Sequence, residues 1–487
     1  MNSPMREEDE AYFNDPEFLE CLQKYEQACN NGKPIYMDAE DLTDIAEFYM
    51  TQNKEEEANQ VISLAISLHP NSVDPMIFLA RQQMFHDNLD EAIKIAESIP
   101  DQNDRETTFL WTELLIRSNK TDEALELIVS KLEEQEEDKA MFLYDAACIF
   151  MDYQHYEIAS QLTDVLEKEF PKYSKLKKLK VDVLMAQEKY EKAIALLQSI
   201  LEEQPYSTSA WKTIAEAHVG KSNFTEALDS VEYCLAINPD NMQALFIKAH
   251  CLFHLNHLDQ AHEIYLRLQE SMPQDGKLYY MDAITLANME KFDEARKALK
   301  KALKYTPLYD EDRIQVLMHK AYIESKCHNI DEALKTLDDA MQLSKEQETI
   351  DYHLLKGEIL LENNREKEAA EQFKIAYDES KNKQQTLLTI GIAYAETMHY
   401  DTAVSLLESF AEEYKEKEGV VAIPYLAYCY KKKHDQENYL KYLRKAVSAD
   451  REITEFLFAE DYPSIQPEEY YLYAFKNVYG RFPEAWE

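Results

Sequence analysis

Residues 211–239 read WKTIAEAHVGKSNFTEALDSVEYCLAINP, and this stretch decides the fold. It divides into a helix, a short turn, a second helix and a stop at Pro239, which lacks a donor N–H and clashes with the preceding turn. Ala227 lies near the start of the second helix. Counting outward, alanine recurs at Ala58, Ala92, Ala124, Ala159, Ala193, Ala227, Ala261, Ala295, Ala333, Ala369 and Ala403. The gaps are 34, 32, 35, 34, 34, 34, 34, 38, 36 and 34 residues, and Tyr439 takes the same slot 36 residues further on. A period in this range marks stacked supersecondary units, none of which can bury its apolar face alone.

Other columns keep step. Twelve residues after the alanine stand Pro70, Pro171, Pro205, Pro239, Pro273 and Pro307. Twelve before it the side chain is small in ten of twelve units, as at Ala46, Ala147, Ala215, Ala283, Gly357 and Gly391. Two before it stand Asp90, Asp122, Thr225, Asp259, Asp293, Asp331 and Asp401, expected to cap the second helix by accepting its unpaired N–H groups. Each unit is predicted to be a helical hairpin.

These columns resemble the tetratricopeptide repeat (TPR), with its W-x2-L-G-x2-Y…A-x3-F…P pattern in units of 34. The best matches are Trp211, Ile214, Ala215, His218, Ala227, Val231, Pro239 and Leu42, Ile45, Ala46, Tyr49, Ala58, Ile62, Ala65, Pro70. Most motif glycines are alanine here, which favours a stiffer array because alanine is the better helix former. The resemblance implies an all-α fold: a right-handed α-solenoid superhelix of tandem TPR hairpins with capping helices at both ends. The expected organisation is an acidic segment and capping helix over 1–38, about twelve repeats over 39–448 with a bend near 308–313, and tyrosine-rich capping helices over 449–487. The N-terminal cap is read from Phe18, Leu19, Leu22, Tyr25 and Ala28, and the C-terminal one from Phe456-Leu457-Phe458 and residues 470–475.

Composition bounds the function. No apolar run reaches the roughly 18 residues of a membrane span, and the acidic start, Met1 to Glu10, lacks a secretory segment. Seven cysteines without C-x-x-C spacing suit a reducing compartment, so the cytoplasm is the expected location. The net charge is −41. A field of that sign keeps the chain in solution, repels nucleic acid and anionic lipid, and would steer a basic partner. The chain has no G-x-x-x-x-G-K-[ST], G-x-G-x-x-G or G-x-S-x-G, and only seven glycines, so no enzyme activity and no cofactor are expected.

In the family the first helix of each unit lines a concave groove that holds a peptide or partner helix. The implied inward positions fall 15, 11 and 8 residues before each alanine, spacings that share one helix face. They give Phe246, His250, Phe253, Tyr280, Ile284, Met318 and Tyr322, continued by Leu354, Leu361, Leu388 and Ile392, with Ile77, Met84, Phe109, Tyr144 and Met151 from earlier units. Aromatic and methionine side chains are the usual anchors of binding surfaces. Lys175, Lys178 and Lys212 add ammonium groups suited to a carboxylate. The chaperone-binding clamp of some family members is not expected, because Asp182 stands where it needs Asn. His250 and His254 lie one turn apart with Glu216 at the matching place in the preceding unit. Two His and a carboxylate are a weak metal candidate without H-E-x-x-H or a second cysteine. The function expected is a non-enzymatic protein-binding scaffold or adaptor, a monomer or weak homo-oligomer. The alternatives are a self-assembling structural subunit and, behind it, a metal-dependent enzyme.

Overall fold

The eleven repeat alanines are all fully buried, at 0% exposure, each where the second helix of a hairpin meets the first. A computed structural model describes residues 12–30, 35–52, 54–134, 138–307, 311–343, 349–413 and 421–483. Among them it holds 27 α-helices and one short 3-10 turn, with no β-strand. The chain divides into two compact units, Met1–Pro239 and Asp240–Glu487. The bend expected near 308–313 falls largely outside the described residues.

In the first unit helix Pro16–Asn30 precedes six hairpins, from Ala39–Thr51 with Glu55–Leu68 to Thr208–Gly220 with Phe224–Ile237. In the second, six hairpins run from Met242–His254 with Leu258–Ser271 to Ala422–Lys432 with Gln436–Ala449. First helices pack on first helices of the next hairpin, as Ala39–Thr51 does on Asp74–Phe85 and Thr349–Glu362 on Lys383–Glu396. Second helices pack between their own first helix and the next one, as Leu258–Ser271 does against Gly276–Asn288. Each hairpin therefore shares its core with its immediate neighbours.

The proline column works as expected. Helix Phe224–Ile237 ends two residues before Pro239, and Asn238 is already extended at φ −131° and ψ 92°. A residue before proline is pushed out of the helical region by the ring.

The turn inside each hairpin differs from the expectation. The residue five before the alanine slot adopts the left-handed conformation in eleven hairpins: Asp87, Asn119, Gln154, Glu188, Ser222, Asn256, Glu290, His328, Asn364, Met398 and His434, with φ from 56° to 65°. Two backbone bonds close each turn. At Ser222 its N–H donates to Val219 O at 2.8 Å and the Asn223 N–H donates to His218 O at 2.9 Å. That pairing is the Schellman arrangement that satisfies the last carbonyls of a helix. Because the backbone itself makes the turn, the second helix starts earlier than the acids suggested. Asp90, Asp122, Thr225, Asp259, Asp293, Asp331 and Asp401 are second residues of their helices, not caps. There the acids still face the positive helix end, which is worth roughly 0.3–1 kcal/mol each. Side-chain caps occur mostly at the first helices, where Asp104 accepts from Thr107 N, Ser207 from Ala210 N and Asn241 from Ala244 N. Among second helices Asp435 caps Gln436–Ala449 by accepting from Asn438 N.

The first unit begins with a cap and the second ends with one. Phe18, Leu22 and Tyr25 bury against Leu42, Ile45 and Tyr49, whereas Leu19 is exposed. Helices Arg451–Phe458 and Tyr470–Tyr479 cover the last hairpin and bury Phe458, Tyr470 and Phe475, with Phe456 outside. Tyr439 departs from the alanine column here. Its ring lies 6.1 Å from that of Phe458 and its hydroxyl is 2.8 Å from that of Tyr462, so the larger residue ties hairpin to cap.

Two expectations follow. A Cβ on Gly357 would lie 2.3 Å from Cε1 of the buried Phe373 ring. Gly357→Ala should therefore destabilise by about 1–3 kcal/mol of overpacking, exceeding the roughly 1 kcal/mol gained in helix propensity, and a melt should register the loss. Glu290 is exposed at φ 59°. Glu290→Gly should be more stable than Glu290→Ala by about 1 kcal/mol, because both remove the charge and only glycine relieves the left-handed strain.

Candidate functional site

The inward register expected of the first helices takes different forms along the chain. In the second unit its side chains stay partly open. Phe246, His250 and Phe253 on Met242–His254, Tyr280 and Ile284 on Gly276–Asn288, Met318 and Tyr322 on Glu311–Lys326, and Ile392 on Lys383–Glu396 are all half-buried. Lys277 Nζ stands 5.3 Å from the Phe246 ring centroid, and Lys326 Nζ 5.0 Å from that of Tyr322. Such cation–π contacts hold lysine stems over aromatic faces. Tyr280 Oη lies 3.1 Å from His319 Nδ1, joining two adjacent first helices. Burial, with Asp312 behind it, pushes the Tyr280 phenol up to about 12, so it stays a neutral hydrogen-bonding group. Leu354 is half-buried, but Leu361 and Leu388 belong to the core.

Early hairpins close the same register. Ile77, Met84, Phe109 and Tyr144 are only 2–8% exposed and sit in core clusters, while Met151 is half-buried. Charge replaces apolar surface there. The Arg81 guanidinium donates to Glu113 Oε1 from Nη2 at 2.7 Å and from Nε at 3.1 Å, and Arg105 pairs with Asp145. Sequence reading missed this ladder, although Arg81 and Glu113 both occupy the column eleven before the alanine.

Further along the first unit a cleft of about 770 Å³ opens, lined by Tyr144, Met151, Asp182, Met185, Lys178, Lys212 and Glu216, among others. It thus brings together Lys178 and Lys212, while Lys175 stands beside it with Nζ 5.2 Å from the Tyr144 ring centroid. Lys177 also lines it and is bound to Glu203 at 2.8 Å, so carboxylates and ammonium groups share the lining. A cleft of mixed sign suits a polar segment better than a lone anion.

His250 and His254 meet, with Nε2 atoms 3.2 Å apart and rings edge to face. Burial, then His254 and Lys277, lower the His250 pKa, and burial lowers that of His254. Glu216 belongs to the other unit, and among the described residues no group of three His, Cys, Asp or Glu side chains is placed to hold a metal ion.

One centre in the same register carried no notice in the sequence. Glu358 is half-buried, and burial together with Glu362 and Glu396 pushes its carboxyl up to about 7 against the opposing Lys326. Lys326 itself is bound to Glu362 at 2.5 Å, which leaves Glu358 as the carboxyl most disposed to hold a proton.

Tetratricopeptide repeat family models match residues 218–281 and 276–307. Human Superkiller complex protein 3 is 29% identical over 187 residues, covering 35% of this chain and 11% of that protein, so the chain spans about a tenth of its relative. Among solved structures, a tetratricopeptide repeat protein from Parabacteroides merdae is 15% identical, covering 53% of this chain and 98% of that one, at a TM-score of 0.40. Cut9 in its hetero-tetramer with Hcn1 is 16% identical over 87% of this chain and 90% of the matched one, at 0.35. MamA from Desulfovibrio magneticus RS-1 is also 16% identical, over 36% and 96%, at 0.33. No described helix is long and apolar enough to cross a membrane.

The Glu358 carboxyl makes stability depend on pH. Its folded pKa of about 7 lies above the ordinary 4.5, so the folded chain holds the proton more tightly between those values. Stability should then fall by about 1–3 kcal/mol as pH rises from 4.5 through 7. Glu358→Gln should flatten that decline and raise the melting temperature at pH 8, measured by calorimetry across the range.

Proposed function

We propose that this array of tetratricopeptide-like hairpins is a non-enzymatic scaffold which docks a peptide or partner helix along its first-helix face. The array is taken to run over residues 39–448, with the terminal helices as caps. One observation carries this reading. Aromatic and aliphatic side chains recur in one register of the second unit and stay half-open, whereas the alanine column beside them is sealed. Half-open aromatic rings offer a partner large area at little entropic cost, and a partner that covers them gains the rest of their burial.

Phe246, Phe253, Tyr280, Ile284, Met318, Tyr322 and Ile392 are the proposed apolar anchors, with His250 as a polar one. The carboxylates around Glu358 favour basic groups in the docked segment. In the first unit Lys178 and Lys212, with Lys175 beside them, are proposed to engage polar or acidic groups of the same partner class. The name of Superkiller complex protein 3 places that relative in an assembly, which supports a scaffolding role here.

The test is a paired pull-down from source-cell lysate, followed by mass spectrometry. Phe246→Ala with Tyr280→Ala should lose the partners that the parent chain captures, while its thermal melt stays cooperative. Recovery of the same partners by both proteins would remove this register as the binding surface.

A further inference from the structure

In a chain with 93 acids against 52 bases, one helix is the most basic, with five basic residues against two acids. Phe292–Tyr305 reads FDEARKALKKALKY. It buries Ala295, Ala298, Leu299 and Ala302, and exposes Lys297, Lys300, Lys301 and Lys304. Those four follow i, i+3, i+4, i+7 spacing and so form one stripe along the open face, about 10 Å long. Like charges at these spacings oppose each other and weaken the helix.

No described carboxylate forms an ion pair with the stripe, although Glu294 stands one turn before Lys297 and Glu324, Asp331 and Glu332 line the same hollow as Lys300. Lys301 lies over the Tyr279 ring at 5.0 Å, and Lys304 lies over Tyr305 and donates to its hydroxyl at 3.3 Å. Among the described residues none of the four has a carboxylate partner, and the helix's own Asp293 is taken by Arg296. The same register in other hairpins looks different. The preceding hairpin has Glu263, Leu266, Arg267 and Glu270 there, and the following one Lys335, Asp338, Asp339 and Gln342.

We propose that this lysine stripe is a second docking site, separate from the first-helix register, for an acidic segment of a partner protein with carboxylates at helical spacing. Its short length selects that occupant over a phosphate polymer. A nucleic acid backbone extends past 10 Å and meets carboxylates in the register on either side, whereas two turns of an acidic segment end with the stripe. Base stacking is not on offer either, because Tyr279 is buried and Lys304 covers Tyr305.

A short fluorescein-labelled polyglutamate peptide tests the site on the full chain by anisotropy, in about 0.15 M salt, where screening beyond roughly 8 Å silences the distant negative charge. A labelled oligouridylate runs in parallel. Removing four exposed ion pairs of ordinary strength amounts to about a tenfold loss of affinity. Lys297→Gln, Lys300→Gln, Lys301→Gln and Lys304→Gln together should therefore weaken peptide binding about tenfold, and melt no lower than the parent. The pair Lys297→Gln with Lys301→Gln should show about half that effect on a logarithmic scale. A control chain with Lys335, Lys374, Lys441 and Lys445 changed to Gln should bind like the parent. The proposal is overturned if the parent does not bind the peptide, if control and stripe variants lose binding equally, or if oligouridylate binds in its place.

Discussion

Two helices lie as close as these hairpins require only where one of them offers no more than a methyl group at the contact. That is the constraint on which the structure rests. The alanine column meets it by being sealed in eleven hairpins, with Tyr439 in its place in the twelfth, and in ten of the twelve a small residue twelve positions earlier serves the facing helix. At Gly357 and Gly391 even a methyl group does not fit, since a Cβ would lie 2.3 Å from Phe373 and 2.7 Å from Leu407. Packing density leaves no slack for a larger group on both sides. The period of the sequence is thus the period of a steric requirement, repeated because each hairpin solves the same contact with its neighbour.

From that contact the exposed registers follow. Fixing the alanine inward fixes the rotation of both helices, so the residues 15, 11 and 8 positions earlier share a face, as do the lysines two, five, six and nine positions after Ala295. The fold was legible from residue type because its contacts select for size: alanine at the contact, proline at the end. The turn was not. Its left-handed residue is variously Asp, Asn, Gln, Glu, Ser, His or Met, since two backbone hydrogen bonds hold it and no side chain is asked to do so. Aspartates such as Asp90 and Asp259 therefore drew the helix start two residues too late. Most true caps, such as Asp104, Ser207 and Asn241, stand at the other end of the hairpin, outside the columns that the alanines made visible.

The candidate site was legible only in its register. Phe246 and Phe109 occupy equivalent positions and are both phenylalanine, yet one is half-open and the other buried in a core cluster. Residue type cannot separate them. The Phe142 ring of the next hairpin stacks on Phe109 at 5.1 Å with Arg105 also over it, whereas the following hairpin sets the flexible Lys277 over Phe246. Near Phe109 the polar positions of the register are occupied by pairs such as Arg81 with Glu113, whose partners lie 32 residues apart. A pattern read one column at a time sees two charges there and no bond.

Charge in this chain carries information through its placement more than through its total. In the second unit the first-helix register holds Glu358, pushed towards neutrality by burial and by Glu362 and Glu396, while a second helix carries four exposed lysines. A helix is about 10–12 Å across with its side chains, and screening at physiological salt acts over about 8 Å. Faces on opposite sides of a hairpin are therefore only weakly coupled. One face can favour a basic segment and the other an acidic one, although the chain as a whole bears a charge of −41. A net charge of that size governs solubility and long-range approach. Which segment settles on which helix is decided within a few ångströms, by whether the carboxylates or the ammonium groups at that register already have partners.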